Sequence, residues 1–110
     1  MEQGADLDWQ RVAEVDEVDD DEPRQILVGG RIIALYKLGA EFYATDDTCT
    51  HEFASLCDGY IEGDTIECPL PQARFHIPTG KVLDLPAEED LPTYPVRVEG
   101  SLIYVGVPKT

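Results

Sequence analysis

Nowhere in these 110 residues do apolar side chains recur at helical spacing for three turns; eight prolines and nine glycines instead punctuate the chain throughout. A chain cut in this way buries apolar surface by pairing short extended runs. Arg-Gln-Ile-Leu-Val (24–28) and Arg-Ile-Ile-Ala-Leu-Tyr-Lys-Leu (31–38) flank Gly29-Gly30, two residues that accept positive φ, which predicts a hairpin. Gly39 permits a second turn before Glu-Phe-Tyr-Ala-Thr (41–45). Pro-Val-Arg-Val-Glu (95–99), Gly100-Ser101 and Leu-Ile-Tyr-Val-Gly-Val (102–107) repeat the pattern near the C-terminus. The expected fold is all-β, a sandwich or small barrel of short antiparallel strands. Its core candidates are Trp9, Val12, Ile26, Val28, Ile33, Leu35, Phe42, Val96, Val98, Ile103 and Val105. The length supports one domain with a single modest core, taken as residues 1–110.

Charge narrows the partners. Eight Lys and Arg against 23 Asp and Glu give a formal net charge of −15, which repels a phosphate backbone and argues against nucleic acid. The same acidity either steers the protein toward a basic docking surface or serves solubility alone. Residues 14–22, Glu-Val-Asp-Glu-Val-Asp-Asp-Asp-Glu, are closed by Pro23 and are expected as an exposed, solvated loop. No apolar run approaches the roughly 20 residues that span a bilayer. The start, Met-Glu-Gln-Gly-Ala-Asp-Leu-Asp-Trp-Gln, has neither a basic leader nor an apolar segment, so a cytoplasmic protein without a membrane partner is expected.

Three cysteines, an odd number, argue against a disulfide scaffold and toward metal or redox chemistry for at least two of them. Cys49, Cys57 and Cys68 all fall between Asp46 and Gly80, with both histidines, His51 and His76, and three of the prolines. Turn residues dominate this segment, so it is expected to form loops projected from the β scaffold, where sites commonly sit. Cys49-Thr50-His51 alone is weak evidence for a metal site. It is followed, however, by Cys68-Pro69-Leu70-Pro71, by Gln72-Ala73-Arg74-Phe75 and by Thr79-Gly80-Lys81-Val82.

With those stretches in place, the sequence resembles the Rieske ferredoxins, especially the ferredoxin components of bacterial aromatic-ring-hydroxylating dioxygenase systems. That family's signature is Cys-x-His followed at this separation by Cys-x-x-His, one pair on each of two loops. The resemblance covers essentially the whole chain. It implies two cluster-binding loops within residues 46–80 and a Rieske-type [2Fe-2S] cluster, one iron held by cysteines and the other by histidines. Carried over, Cys49 and Cys68 would hold the first iron and His51 the second. The fourth ligand position falls at Pro71, and proline has no side-chain lone pair and no amide proton. Pro69 and Pro71 also stiffen the turn. His76 is eight positions beyond Cys68 rather than three, so it would reach the iron only through a rearranged loop and is expected to begin the following strand. Cys57 lies outside the signature and is expected as a small buried apolar residue.

The function implied is a single-electron carrier, not catalytic on its own. It would be monomeric and run between a flavin-dependent ferredoxin reductase and a terminal oxygenase, with His51 as the electron exit and Phe53, Leu70 and Pro71 lining the contact. Loss of the ligand at Pro71 keeps open a cluster-less interaction subunit, such as the small subunits of some nitrite reductases. A mononuclear zinc or iron site from Cys49, His51 and Cys68 has suitable donors but needs a fourth group.

Overall fold

A computed structural model of the chain describes residues 7–20, 22–48, 55–68, 74–83 and 90–108. Its strands are β1 (Leu7–Glu14), β2 (Arg24–Val28), β3 (Arg31–Leu38), β4 (Glu41–Asp46), β5 (Tyr60–Glu62), β6 (Thr65–Glu67), β7 (Arg74–His76), β8 (Thr93–Tyr94), β9 (Val96–Glu99) and β10 (Leu102–Pro108). They form three antiparallel sheets, ordered β1-β10-β9, β2-β3-β4-β8 and β5-β6-β7. The all-β expectation holds. Among the described residues only two short 3-10 turns, Val15–Glu17 and Leu56–Asp58, add helical geometry.

The expected hairpins form where the glycines place them. Gly29 and Gly30 adopt φ of 57° and 81°, the mirror-type turn whose twist matches the strands it joins, and Val28 pairs with Arg31 across it. Between the first two sheets lies a core of Ile26, Val28, Ile33, Leu35, Ile103, Val105 and Val107, with Val12, Phe42 and Val96 packed at its margin. Two core candidates lie elsewhere. Val98 is 42% exposed, on a strand that among the described residues lies at a sheet edge, paired with β10. Trp9 packs outside this core, against Gly106 and beneath the Arg97 guanidinium, 4.5 Å from its ring centroid.

The acidic stretch is not wholly solvated. Val18 is buried in the core, Val15 packs against it, and the Val15 amide donates to the Ser101 carbonyl at 2.9 Å. Two apolar anchors thus pin a stretch whose described carboxylates are exposed.

The segment between Asp46 and Gly80 departs further from expectation, since it contributes the whole third sheet and much of a second apolar cluster. Leu56, Ile66, Cys68, Phe75 and Ile77 pack with Leu91 against Ala34 and Tyr36. Strand β3 therefore presents Ile33 and Leu35 to one core and Ala34 and Tyr36 to the other. Its unbroken buried run, Ile33 to Tyr36, is what a strand covered on both faces requires.

Candidate metal centre

Two loops leave the β5-β6-β7 sheet at one end. The first joins β4 to β5, and a bridge between Thr48 and Ser55 closes its base around residues 49–54. The second joins β6 to β7, and the pairing of Glu67 with Arg74 closes it around residues 68–73. Cys49 and Cys68 are thus each the residue that directly follows such a closing position. The end of the first loop packs tightly against β6: a Cβ added to Gly59 would lie 2.1 Å from the Glu67 carbonyl oxygen.

Asp47 holds the first loop together. Only 3% exposed, its carboxylate accepts from Gln25 Nε2 at 3.0 Å, from Ser55 Oγ at 2.7 Å and from the Cys57 amide at 3.1 Å. Its backbone donates to the Ile32 carbonyl and accepts from the Leu56 amide, at 3.1 and 2.7 Å. One residue therefore ties the two ends of the loop to β2 and β3. Beneath it, the buried Tyr36 hydroxyl lies 2.9 Å from Thr45 Oγ1, whose own proton goes to the Asp46 carbonyl at 2.8 Å, so Tyr36 is the donor. Burial raises the Tyr36 pKa above the usual phenol value.

Of the expected ligands, Cys68 is described: it is buried at the exit of β6, among Ala34, Tyr36, Leu56, Ile66, Phe75 and Ile77. Cys49, His51 and Pro71 lie outside the described residues, as do the expected contact residues Phe53 and Leu70. Among the described residues no group of three or more His, Cys, Asp and Glu side chains is placed to hold a metal ion. The chemistry of the expected set fits an iron–sulfur group at three positions, two soft thiolates and an imidazole, and does not fit at Pro71.

The two remaining candidates are drawn away from such a role. His76 Nδ1 is 2.8 Å from Thr79 Oγ1 and Nε2 is 3.0 Å from Asp64 Oδ2, so both ring nitrogens are engaged in the turn beside β7. Cys57 is half-buried rather than buried, packed against the second cluster. Burial, then the hydrogen bond to Asp47 and the carboxylate's charge, push its thiol well above the usual range, which keeps it protonated and a poor ligand.

Sequence reasoning misses Asp47, Gln25 and Ser55. The three converge only because β2, β4 and the first loop fold onto one another, and no local spacing rule links them.

Comparison with known proteins places this geometry in a family. A profile of the Rieske [2Fe-2S] domain matches residues 8–95. The 3-phenylpropionate/cinnamic acid dioxygenase ferredoxin subunit of Shigella boydii serotype 4 (strain Sb227) is 53% identical over 79 residues, covering 71% of this chain and 74% of the relative. The ferredoxin component of the naphthalene 1,2-dioxygenase/salicylate 5-hydroxylase systems of a Ralstonia species is 45% identical over 91 residues, covering 83% and 88%. The solved structure of a Sphingomonas yanoikuyae B1 ferredoxin superimposes with a TM-score of 0.87 at 34% identity, over 92% of this chain and all of that one. The chain belongs to the Rieske [2Fe-2S] domain family. Among the described residues no helix is long and apolar enough to cross a membrane.

Proposed function

We propose that this protein is a Rieske ferredoxin that carries single electrons to the terminal oxygenase of an aromatic-ring-hydroxylating system. The observation that carries the reading is its similarity, along most of its length, to proteins named as ferredoxin components of dioxygenase systems. Residues 1–110 act as one domain and one monomer, without catalysis of their own, and a flavin-dependent ferredoxin reductase supplies the electrons. When bound, a [2Fe-2S] cluster supplies a one-electron couple. Cys49 and Cys68 would hold one iron through thiolates, and His51 would hold the other. Neutral imidazole in place of thiolate raises a Rieske centre to roughly −150 to +300 mV, against about −400 mV for plant-type ferredoxins. With proline at position 71 the second loop would offer Cys68 alone as a protein ligand, so a bound cluster would be retained less firmly than with a second histidine.

The test is iron and acid-labile sulfide analysis of anaerobically prepared protein, with paramagnetic resonance of the dithionite-reduced state, for this chain and for Pro71→His. The expected result is a cluster in both, with higher occupancy and the paired-histidine signal in Pro71→His. Iron and sulfide absent from both after anaerobic reconstitution would overturn the carrier reading in favour of a cluster-less interaction subunit.

A further inference from the structure

We propose that the free edge of β9 is a docking edge for an extended, cationic segment of another protein, which adds to the β1-β10-β9 sheet as a fourth strand. Hydrogen-bond parity carries the argument. The Gly106 amide donates to the Pro95 carbonyl at 3.0 Å, in the register that pairs Val105 with Val96 and Ile103 with Val98. Bonding residues alternate along an antiparallel ladder, so Arg97 and Glu99 direct their amides and carbonyls to β10 while Val96 and Val98 direct theirs away from it. Among the described residues β9 is the last strand of its sheet, and those backbone groups lie along its unpaired side.

Sheet edges are usually guarded by proline, lysine, a bulge or an overhanging charge, and this one is not. Val96–Glu99 pairs with β10 in continuous register and contains neither proline nor lysine. Its one cation, Arg97, leans the other way: the guanidinium lies 4.5 Å from the ring centroid of Trp9, which is on β1 across β10, and Nε is 3.0 Å from Glu99 Oε2. The apolar side chain of Val98 is left 42% exposed. Beside Val96 the edge opens into a cleft of about 490 Å³, where β8, paired with β4 only at Ala44 and Thr45, passes through Pro95 to β9. Phe42 and Val96 line that cleft together with Glu41, so an added strand finds room for an apolar side chain next to a carboxylate.

Charge and area select the occupant. A strand laid antiparallel to β9 sets its own bonding residues opposite Val96 and Val98, where apolar side chains cover the exposed valine. Carboxylates stand toward both ends of the edge, Glu99 and Glu41, on a chain of net charge −15, which favours lysine or arginine at both ends of the segment. A second copy would bring the same −15 and four residues of strand, well short of the roughly 800 Å² per partner that a stable association buries. Main-chain pairing supplies the affinity of such an addition, and the flanking charges supply its steering. The proposal is independent of the carrier reading, since Val96 packs against the first core, to which no residue between Asp46 and Gly80 contributes.

The test is nuclear magnetic resonance of the isotopically labelled full chain with the peptide acetyl-Lys-Val-Thr-Val-Lys-amide, whose first valine falls opposite Val98. The expected result is saturable shifts of the Val96 and Val98 amides at millimolar peptide, slower hydrogen exchange at both, and weakening with salt. Binding should be lost with Glu-Val-Thr-Val-Glu, with N-methylation of the first valine, and in Val98→Lys, which sets a cation on the edge. Glu41→Lys should weaken it. Circular dichroism checks that both variants keep the β fold, and the two altered peptides read the same edge on the unaltered protein. Shifts that map elsewhere, survive N-methylation or are equal for the two end charges overturn the proposal, as does the absence of any saturable shift. Sedimentation that shows dimers protecting the same two amides would give the edge to a second copy and overturn the cationic occupant. None of these outcomes touches the iron and sulfide content by which the carrier reading is judged.

Discussion

Gly59 sits against the backbone of Glu67 so closely that a Cβ added to it would meet the Glu67 carbonyl oxygen at 2.1 Å. Its φ of −92° is one that any residue adopts, so space and not backbone conformation demands glycine there. The contact holds the end of the first loop against the last residue before Cys68. Gly59→Ala is expected to cost about 1–3 kcal/mol by overpacking, read from urea unfolding, and to loosen the β5–β6 end of the sheet. Gly63 has open space around it and a φ of 63°, so Gly63→Asn should cost well under that, since asparagine tolerates the left-handed region. Equal losses at the two sites would mean that the Gly59 contact is not the constraint.

A second expectation concerns high pH. The Tyr94 hydroxyl donates to the Asp46 carboxylate, and burial first, then that bond and the carboxylate's charge, push its pKa up to about 12. The unfolded phenol titrates near 10. The folded state thus favours the neutral form: the contribution is fully present below about pH 10 and is lost as pH rises through about 12. The chemical denaturation midpoint should fall across that window. Tyr94→Phe should show a shallower fall, with the buried Tyr36 supplying a residual slope of the same sign. An identical slope in Tyr94→Phe would exclude Tyr94 as its source.

The two apolar clusters predict what removal of a cluster would do. The first contains no residue between Asp46 and Gly80, whereas most of the second comes from that segment. Chelator-treated protein should keep its β-type circular dichroism, unlike a zinc finger that unfolds without metal. Hydrogen exchange should accelerate in β5, β6 and β7 while β1, β3 and β10 stay protected. Uniform loss of protection would show that the first core depends on metal.

That division explains which parts of the fold were legible in the sequence. The hairpins at Gly29-Gly30 and Gly100-Ser101 are written locally, in turn residues flanked by β-rich runs. The second core is not, because Leu56, Ile66, Phe75 and Ile77 stand in turn-rich stretches and gain burial only by covering the Ala34–Tyr36 face of β3. The one local sign is the apolar run of β3 itself, which leaves no face for solvent. Val18 is hidden in the same way inside an acidic stretch, where charge repulsion is visible in sequence and a single buried valine is not. At the candidate centre, Cys68 is legible through its motif. The Asp47 clamp depends on Gln25 and Ser55, 22 and 8 residues away, and therefore on the finished fold.

Charge predicts the kinetics of encounter. With a net charge of −15, reduction by a partner with a basic docking surface should slow by roughly tenfold or more as salt rises. Over that range the Debye length contracts from about 10 Å at 0.1 M to about 3 Å at 1 M. Stopped-flow reduction against ionic strength measures it. A flat profile would assign recognition to apolar contact and leave the acidity to solubility.

His76 separates the proposed ligand set from its competitor. Its ring bridges Asp64 Oδ2 and Thr79 Oγ1, while its backbone donates to Lys81 and accepts from Gly80, fixing the turn after β7. Recruiting that ring to iron would break both side-chain bonds and pull it out of the turn. The Asp64 partner is solvent-exposed, so its hydrogen bond to the ring contributes little, and His76→Ala should lower stability by about 0.5–1.5 kcal/mol. Iron content and the resonance of the reduced state should match those of the parent. Pro71→His with His76→Ala should likewise match Pro71→His alone, since the added histidine fills the fourth position without help from residue 76. If His76→Ala bleaches a cluster that the parent holds at full occupancy, His76 is the fourth ligand, the second loop is rearranged, and position 71 has no part in binding iron.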